Sequence, residues 1–184
     1  MGNDMITLVE LKRDGCKLQG PRVYLRVLSV SDATEDYAHW LGDPEVNRFL
    51  ATKKATVPEL REYITTKNQK ENCVLLGIFL NEGPMIGTVK LEYIDLTKGT
   101  ADIAIMLGDR RHAGKGLGGE AMKILIDYAF LSLGLQEITL GVIAQNTGAI
   151  RAYERLGFRE TSRKLGVVKY GQEVFDHVTM SLTK

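Results

Sequence analysis

Residues 110–121 read "RRHAGKGLGGEA" and place four glycines, Gly114, Gly116, Gly118 and Gly119, within six positions, with Lys115 among them and two arginines just before. Glycine lets a ligand approach the backbone without a Cβ in the way. Where such residues open a helix, successive N–H groups converge on an anion and the helix dipole favours negative charge there. Three phosphate-binding arrangements can be weighed. A P-loop needs its first glycine five positions before the second; Gly108 lies six before Gly114, and Gly116 stands where the magnesium-binding hydroxyl belongs. A dinucleotide fingerprint is met in letters by Gly114, Gly116 and Gly119. Its strand should run almost directly into the first glycine, however, and "GDRRHA" intervenes; the following strand ends "VIAQN", with no acid for a ribose. The third arrangement is a strand, an arginine-started loop and a glycine-opened helix, Arg111-x-x-Gly114-x-Gly116, in which Arg111 and Lys115 offset further phosphate charge. A helix entry without a ligand would not call for this many glycines.

The elements around the loop follow from periodicity. "MITLVEL" near the start reads as a weak strand within a lead of about residues 1–20, and "VYLRVLS" (23–29) as the first firm one. "SDATEDYAHWLGDPEV" opens with helix-start chemistry, Ser31 or Asp32 capping and Glu35 following, and Gly42 and Pro44 end it. "TVPELREYITTKNQK" has Thr56 as cap and Pro58 in its first turn. Then "CVLLGIFL" (73–80), "MIGTVKLEYI" (85–94) and "ADIAIML" (101–107) read as strands with short antiparallel links. A helix is predicted from Gly114 to about Ser132, with Leu117, Ala121, Leu125 and Ala129 as its apolar stripe and Glu120, Lys123 and Asp127 on a polar face. A strand over 137–143, a helix from Thr147 to Leu156 ended by Gly157, and strands over 158–165 and 174–182 complete the chain. The order argues an α+β fold around one mixed sheet.

The glycine stretch resembles the Q/R-x-x-G-x-G/A motif of the GNAT superfamily of N-acetyltransferases. The likeness continues downstream in "VIAQNTGAIRAYERLGF" (strand, Asn, helix, Tyr, Gly-Phe) and upstream in "GTVKLEYID…ADIAIMLGDR". The motifs cover about 85–158, and the element order matches over most of 20–184. The whole chain looks most like the ribosomal-protein-acetyltransferase branch. The resemblance implies a GNAT-like fold: a central mixed, mostly antiparallel sheet, splayed between its fourth and fifth strands, with helices on both faces. It implies one acetyltransferase domain over 1–184, with 1–20 an N-terminal extension and 85–158 the acetyl-CoA-binding core.

By the same resemblance acetyl-CoA is the acetyl donor. The loop backbone (Arg111, His112, Ala113, Gly114, Lys115, Gly116, Leu117, Gly118) would hold its pyrophosphate, and Ile105, Met106 and Leu107 would pair with the pantetheine arm like an added strand. An N–H near a bulge there would face the thioester oxygen. Asn146 suits a helix N-cap and, in the family, also bonds the cofactor arm. Tyr153, two turns along the same helix face, would protonate the departing thiolate; packing against its neighbours is the alternative. An amine of reference pKa about 10.4 must first lose a proton, for which Glu92 is the first candidate, Asp102 the second and His177 the third. For either carboxylate taken alone, a solvated strand-face group is the more ordinary reading.

The acceptor is expected to meet the helix pair and its link, with Trp40, Asn47, Arg48 and His177 as binding residues; packing of Trp40, Leu41 and Phe49 inside the fold is the alternative. "HWLGDPEVNRFL" resembles enzymes that acetylate a nucleotide-linked amino sugar, so the expected reaction is direct transfer to such a sugar or another small-molecule amine. Two readings stand beside it: a protein N-terminal acetyltransferase and a non-catalytic acyl-CoA sensor. No acidic cluster stands out for a polycation.

Composition sets the outer bounds. The 184 residues are 44% hydrophobic, enough for one sizeable core, and 24 Lys and Arg against 23 Asp and Glu leave a formal net charge of +1. That balance gives no reason to expect a nucleic-acid or membrane partner. Cys16 and Cys73 form no metal-ligand spacing and read as reduced structural thiols, so no metal is expected. No secretory signal is read, and Ile6 breaks the myristoylation pattern that Met1-Gly2 begins. A cytoplasmic protein is the expectation, and a homodimer is compatible with it.

Overall fold

The computed structural model describes residues 6–13 and 15–184. Its first element is a helical turn, α1 (Leu8–Leu11), not the strand expected over "MITLVEL", whose Met5 lies outside the described residues. The cause is local. Thr7 and Glu10 form a reciprocal capping box, in which the Thr7 N–H donates to Glu10 Oε2 at 2.8 Å and the Glu10 N–H to Thr7 Oγ1 at 3.2 Å. Closing that turn directs Leu11 into the core, where it is fully buried.

A two-residue strand β1 (Leu18–Gln19) and β2 (Val23–Val27) follow. Then come the helices α2 (Glu35–Gly42), α3 (Pro44–Asn47) and α4 (Val57–Gln69). The cap of α2 is Thr34 rather than Ser31 or Asp32. Asp32 is committed elsewhere: it accepts from the Ser29 N–H at 2.7 Å and pairs with Arg26 at 2.7 Å. Helix α4 opens as expected, with Thr56 and Glu59 forming a capping box. The meander β3 (Val74–Leu80), β4 (Met85–Asp95) and β5 (Thr100–Leu107) leads to α5 (Leu117–Leu131), β6 (Glu137–Ile143), α6 (Thr147–Arg155), β7 (Arg159–Tyr170) and β8 (Glu173–Thr183).

These strands form one sheet in the order β1-β2-β3-β4-β5-β6-β8-β7. Every pairing is antiparallel except β5 with β6, which is parallel and holds only over Thr100–Asp102 against Glu137–Thr139. Beyond those residues the two strands separate. This is the splay expected between the fourth and fifth strands; the short β1 moves the count to the fifth and sixth.

Each face of the sheet carries its own core. The stripe Leu117, Ala121, Leu125 and Ala129 of α5 is buried against Ile103, Ile138, Leu140 and Val178. On the other face Tyr37, Trp40 and Leu41 of α2 and Leu60 and Ile64 of α4 pack with Leu75 and Phe79. Among the described residues no helix is long and apolar enough to cross a membrane.

Candidate active site

The glycine loop sits at the open end of the splay. Residues 110–112 make a 3-10 turn capped by Asp109, which is only 6% exposed. The Arg111 N–H donates to Asp109 Oδ1 at 3.0 Å, and the Arg111 guanidinium grips both carboxylate oxygens at 2.9 and 2.7 Å. Those Arg111 hydrogen bonds hold the Asp109 carboxyl below the usual carboxylate range. The His112 and Ala113 N–H groups donate to the carbonyls of Asp109 and Arg110. Arg111, His112 and Ala113 therefore have no free N–H for an anion, contrary to the sequence expectation, and the Arg111 charge is already paired.

The next residues fit the expected phosphate better. Gly114 and Gly116 have φ of 72° and 77°, the left-handed region that glycine enters freely. Among the described residues the N–H groups of Gly114, Lys115 and Gly116 have no partner within the chain. Those of Leu117 and Gly118, in the first turn of α5, have no carbonyl one turn back to bond. A Cβ added at Gly114 or Gly119 would meet nothing within 4 Å, so the space in front is open.

Arg22 and Glu120 brace this loop, and sequence reasoning did not anticipate either role. Glu120, expected on a solvated helix face, reaches across to β2. It accepts from the Arg22 and Val23 N–H groups at 2.7 and 3.1 Å and from Arg22 Nε at 2.7 Å. Burial alone would raise the Glu120 pKa, but these hydrogen bonds outweigh it and hold the carboxyl low. Arg22, so fixed, donates from Nη1 to the Lys115 carbonyl at 3.0 Å. In a trans peptide the C=O and the following N–H point in opposite directions. Holding the Lys115 carbonyl toward Arg22 thus aims the Gly116 N–H away from it.

From the loop a small apolar pocket of about 160 Å³, between β5, α5 and α6, leads to Tyr153. Tyr153 also lines the splay itself, a cleft of about 480 Å³ bounded by Ile103–Leu107, Gly141–Ile143 and Asn146. Its ring meets Phe158 edge-on at 6.1 Å, and burial raises its phenol pKa. Asn146 caps α6, its Oδ1 accepting from the Ala149 N–H at 3.3 Å. Its amide NH₂ has no partner among the described residues and belongs to the cleft wall. No bulge falls within Ile105–Leu107. The irregularity lies just after, where the Gly108 and Asp109 N–H groups both donate to the Ile86 carbonyl.

On the opposite face a cavity of about 530 Å³ shares Leu50, Ala104, Ile105 and Met106 with the cleft. Its walls are Tyr37 and Leu41 of α2, Leu60 and Tyr63 of α4, and the segment 50–55. Burial pushes the Tyr37 phenol up to about 12 and raises Tyr63 as well. Both tyrosines lie on the apolar stripes of their helices, so sequence alone reads them as core.

Several expected site residues are engaged elsewhere. Glu92 is ion-paired with Lys67 of α4 and with Lys90. Burial raises its pKa, the two lysines more than offset this, and the net shift is downward. Asp102 sits at the closed end of the splay, where Thr139 Oγ1 donates to it. Neither carboxylate lines either cavity. Trp40 is 9% exposed and packs over Gly108, where a Cβ would come within 2.2 Å of the indole. Asn47 is buried, its NH₂ donating to the Leu41 and Lys53 carbonyls at 2.7 and 2.9 Å. The Arg48 guanidinium stacks over Phe49, 5.2 Å from the ring centre. Of the expected acceptor-side residues only His177 lines the cleft. Among the described residues no three His, Cys, Asp or Glu side chains gather as a metal site.

A split sheet, a cleft through it and free amides at the mouth are the features that a transferase of acyl thioesters needs. The model of the acetyltransferase (GNAT) domain family matches residues 22–159, and the chain belongs to that family of N-acetyltransferases, whose acetyl donor is acetyl-CoA. It is 33% identical over 178 residues to the probable N-acetyltransferase YjcK of Bacillus subtilis, covering 90% of this chain and 96% of that one. It is 32% identical to the uncharacterized N-acetyltransferase p20 of Bacillus licheniformis, over 89% and 93% of the two chains. Among solved structures, spermidine N-acetyltransferase of Vibrio cholerae in complex with CoA and spermine superposes with a TM-score of 0.80 at 21% identity, over 88% of this chain and 95% of that one.

Proposed function

We propose that this chain acetylates the primary amine of a small molecule by direct transfer from acetyl-CoA in a ternary complex, within one catalytic domain. The observation that carries the reading is the place of Tyr153, common to the pocket that runs from the glycine loop and to the splayed cleft. The pyrophosphate would rest on the N–H groups of Gly114–Gly118, the pantetheine would pair along Ile105–Leu107, and Asn146 would donate to it. Bound there, acetyl-CoA supplies an activated acyl carbon; the chain orients it and moves the protons.

A nucleotide-linked amino sugar was the acceptor that the sequence favoured, through Trp40, Asn47 and Arg48. With Trp40 in the core and Asn47 bonded to the Leu41 and Lys53 carbonyls, the reading shifts to a compact amine with an apolar body, held in the cavity walled by Tyr37, Leu41, Leu60 and Tyr63. A polyamine is disfavoured. The one carboxylate lining that cavity, Glu59, accepts from the Thr56 N–H at 2.7 Å, and Lys54 and Lys90 border the same space.

Release of free thiol from acetyl-CoA tests this with 2-phenylethylamine, spermidine, a nucleotide-linked amino sugar and an N-terminal peptide. The expected kcat/KM is at least ~10-fold higher for 2-phenylethylamine than for spermidine, which brings two further ammonium groups toward Lys54 and Lys90; tenfold is the low end of what a mismatch in an apolar pocket gives. A preference for spermidine or the sugar overturns the acceptor class, and a preference for the peptide selects the N-terminal acetyltransferase. Tight acetyl-CoA binding with no turnover supports the sensor.

The brace on the glycine loop gives a second expectation. Glu120→Ala frees Arg22 and leaves the Gly116 N–H without a fixed direction. CoA affinity should fall about tenfold, near 1.4 kcal/mol, and pantetheine, which lacks the phosphates, should bind unchanged. Titration calorimetry measures both, and equal losses would show general unfolding of the site instead.

A further inference from the structure

We propose that His177 takes the proton from the acceptor ammonium, and that residue 141 is glycine so that the imidazole can lie where it does. This rests on the acetyl-transfer reading above.

The chemistry asks for a base that the two carboxylates do not provide. Glu92 is flanked by two ammonium groups, and Asp102 lies bonded to Thr139 at the end where the sheet is closed. The geometry points instead to β8. Paired residues of neighbouring strands project on one face, and so do residues two apart along a strand. Thr139 bonds Asp102 across the parallel pair, so Gly141, two residues on, shares the face of Ala104 and Met106. Met106 packs with the core that α2 and α4 cover, so this is the face of the larger cavity. His177 pairs with Ile143, again on that face, and its ring leans diagonally over Gly141. A Cβ at position 141 would come within 2.4 Å of His177 Nε2 and 2.9 Å of Cε1. No other residue type leaves room for the ring to lie there, in the wall of the splayed cleft.

Tyr153 reaches the same cleft from the other side. It packs with the core under α5 and α6. The acid and the base thus stand on opposite faces of the split sheet, the thioester between them. The titratable or charged groups that share the cleft with His177, or pair with it across β7, are Glu45, Tyr153, Tyr170 and Lys164. None of them makes a hydrogen bond to His177 among the described residues.

The step balances as follows. The acceptor ammonium gives one proton to His177, which releases it to solvent. The neutral nitrogen attacks the acetyl carbon, and the N–C bond forms as the carbonyl electrons move to oxygen. When the intermediate collapses the C–S bond breaks, and the thiolate takes the Tyr153 phenol proton. The second nitrogen proton returns to Tyr153 through water. One amide, one thiol and one net proton result.

Two amines small enough to enter the cleft whatever its specificity separate a base from a packing group. Methylamine is protonated at neutral pH; hydroxylamine is not. With acetyl-CoA, His177→Gln is expected to lower kcat/KM for methylamine about 100-fold, the lower part of the range for general-base catalysis. Hydroxylamine transfer and CoA affinity should stay within about twofold, since a nucleophile that arrives neutral needs no base. In the variant, methylamine transfer should instead follow the small neutral fraction of the amine and so climb steadily toward alkaline pH. Gly141→Ala, which displaces the ring but keeps the imidazole, should copy the methylamine loss. Equal losses with both amines, or no loss with methylamine, overturn the assignment. A wild-type protein that accelerates neither amine overturns the acetyl-transfer reading itself and this inference with it.

Discussion

A Tyr153→Phe protein is expected to turn over about a hundredfold more slowly than the wild type, with CoA affinity unchanged. The substitution removes one oxygen from a ring whose remaining contacts are apolar, so the edge-on packing against Phe158 and the shape of both pockets survive. On the proposed mechanism it removes the proton that the thiolate needs as the C–S bond breaks, an interaction made only in the transition state. Such a loss falls on kcat and kcat/KM alike. The sign of the pH dependence follows from burial. Burial raises the phenol pKa above its usual value, so the proton is held through neutral pH and beyond. Activity should therefore fall only above the ordinary tyrosine range, and that alkaline limb should be missing from the residual activity of the variant. Initial rates of thiol release across pH at saturating acetyl-CoA measure both features. Unchanged turnover would return Tyr153 to a packing role.

How much of this was legible in the sequence depends on the reach of the interaction. The Thr56 cap of α4, the stripe of α5 and the strand over 137–143 were readable because each is set by neighbours a few residues apart. Gly114 and Gly116 were readable because only a backbone demand explains so many glycines. The sequence starts α5 three residues early, at Gly114, because nothing in it shows that Gly114 and Gly116 both take the left-handed φ that a right-handed helix excludes. The sequence ranks Glu92 and Asp102 ahead of His177 as the base, and the surroundings that bear on that ranking are hidden for the same kind of reason. A carboxylate on a strand face gives no sign of whether lysines will flank it, and Lys67 lies 25 residues from Glu92. Arg22 and Glu120, 98 residues apart, look like ordinary surface charges until β2 and the start of α5 are side by side. His177 and Gly141 carry no shared pattern in the chain. Their relation exists only once β6 and β8 are paired.

Phe158→Ala is expected to produce the largest loss of stability among single core truncations near the site, about 3–5 kcal/mol. Phe158 is wholly buried in the core formed by α5, α6 and the sheet, directly after Gly157, whose φ of 99° turns the chain out of α6. Truncation removes most of a ring that rigid strands and two helices surround, so the space cannot close and the cavity cost adds to the lost burial. For a chain of this length the melting temperature should fall by about 10 °C, readable by calorimetry or circular dichroism. Function should respond separately. The Phe158 ring is the surface against which Tyr153 rests, so Phe158→Leu, which keeps much of the volume, should cost far less stability yet still let the phenol tilt. The expected signature is a fall in kcat larger than the fall in melting temperature would suggest, with CoA affinity preserved. If turnover in Phe158→Leu matched the wild type, the position of Tyr153 would be fixed by Asn146-capped α6 alone, and the second half of the Gly-Phe pair would serve the core without serving the acid.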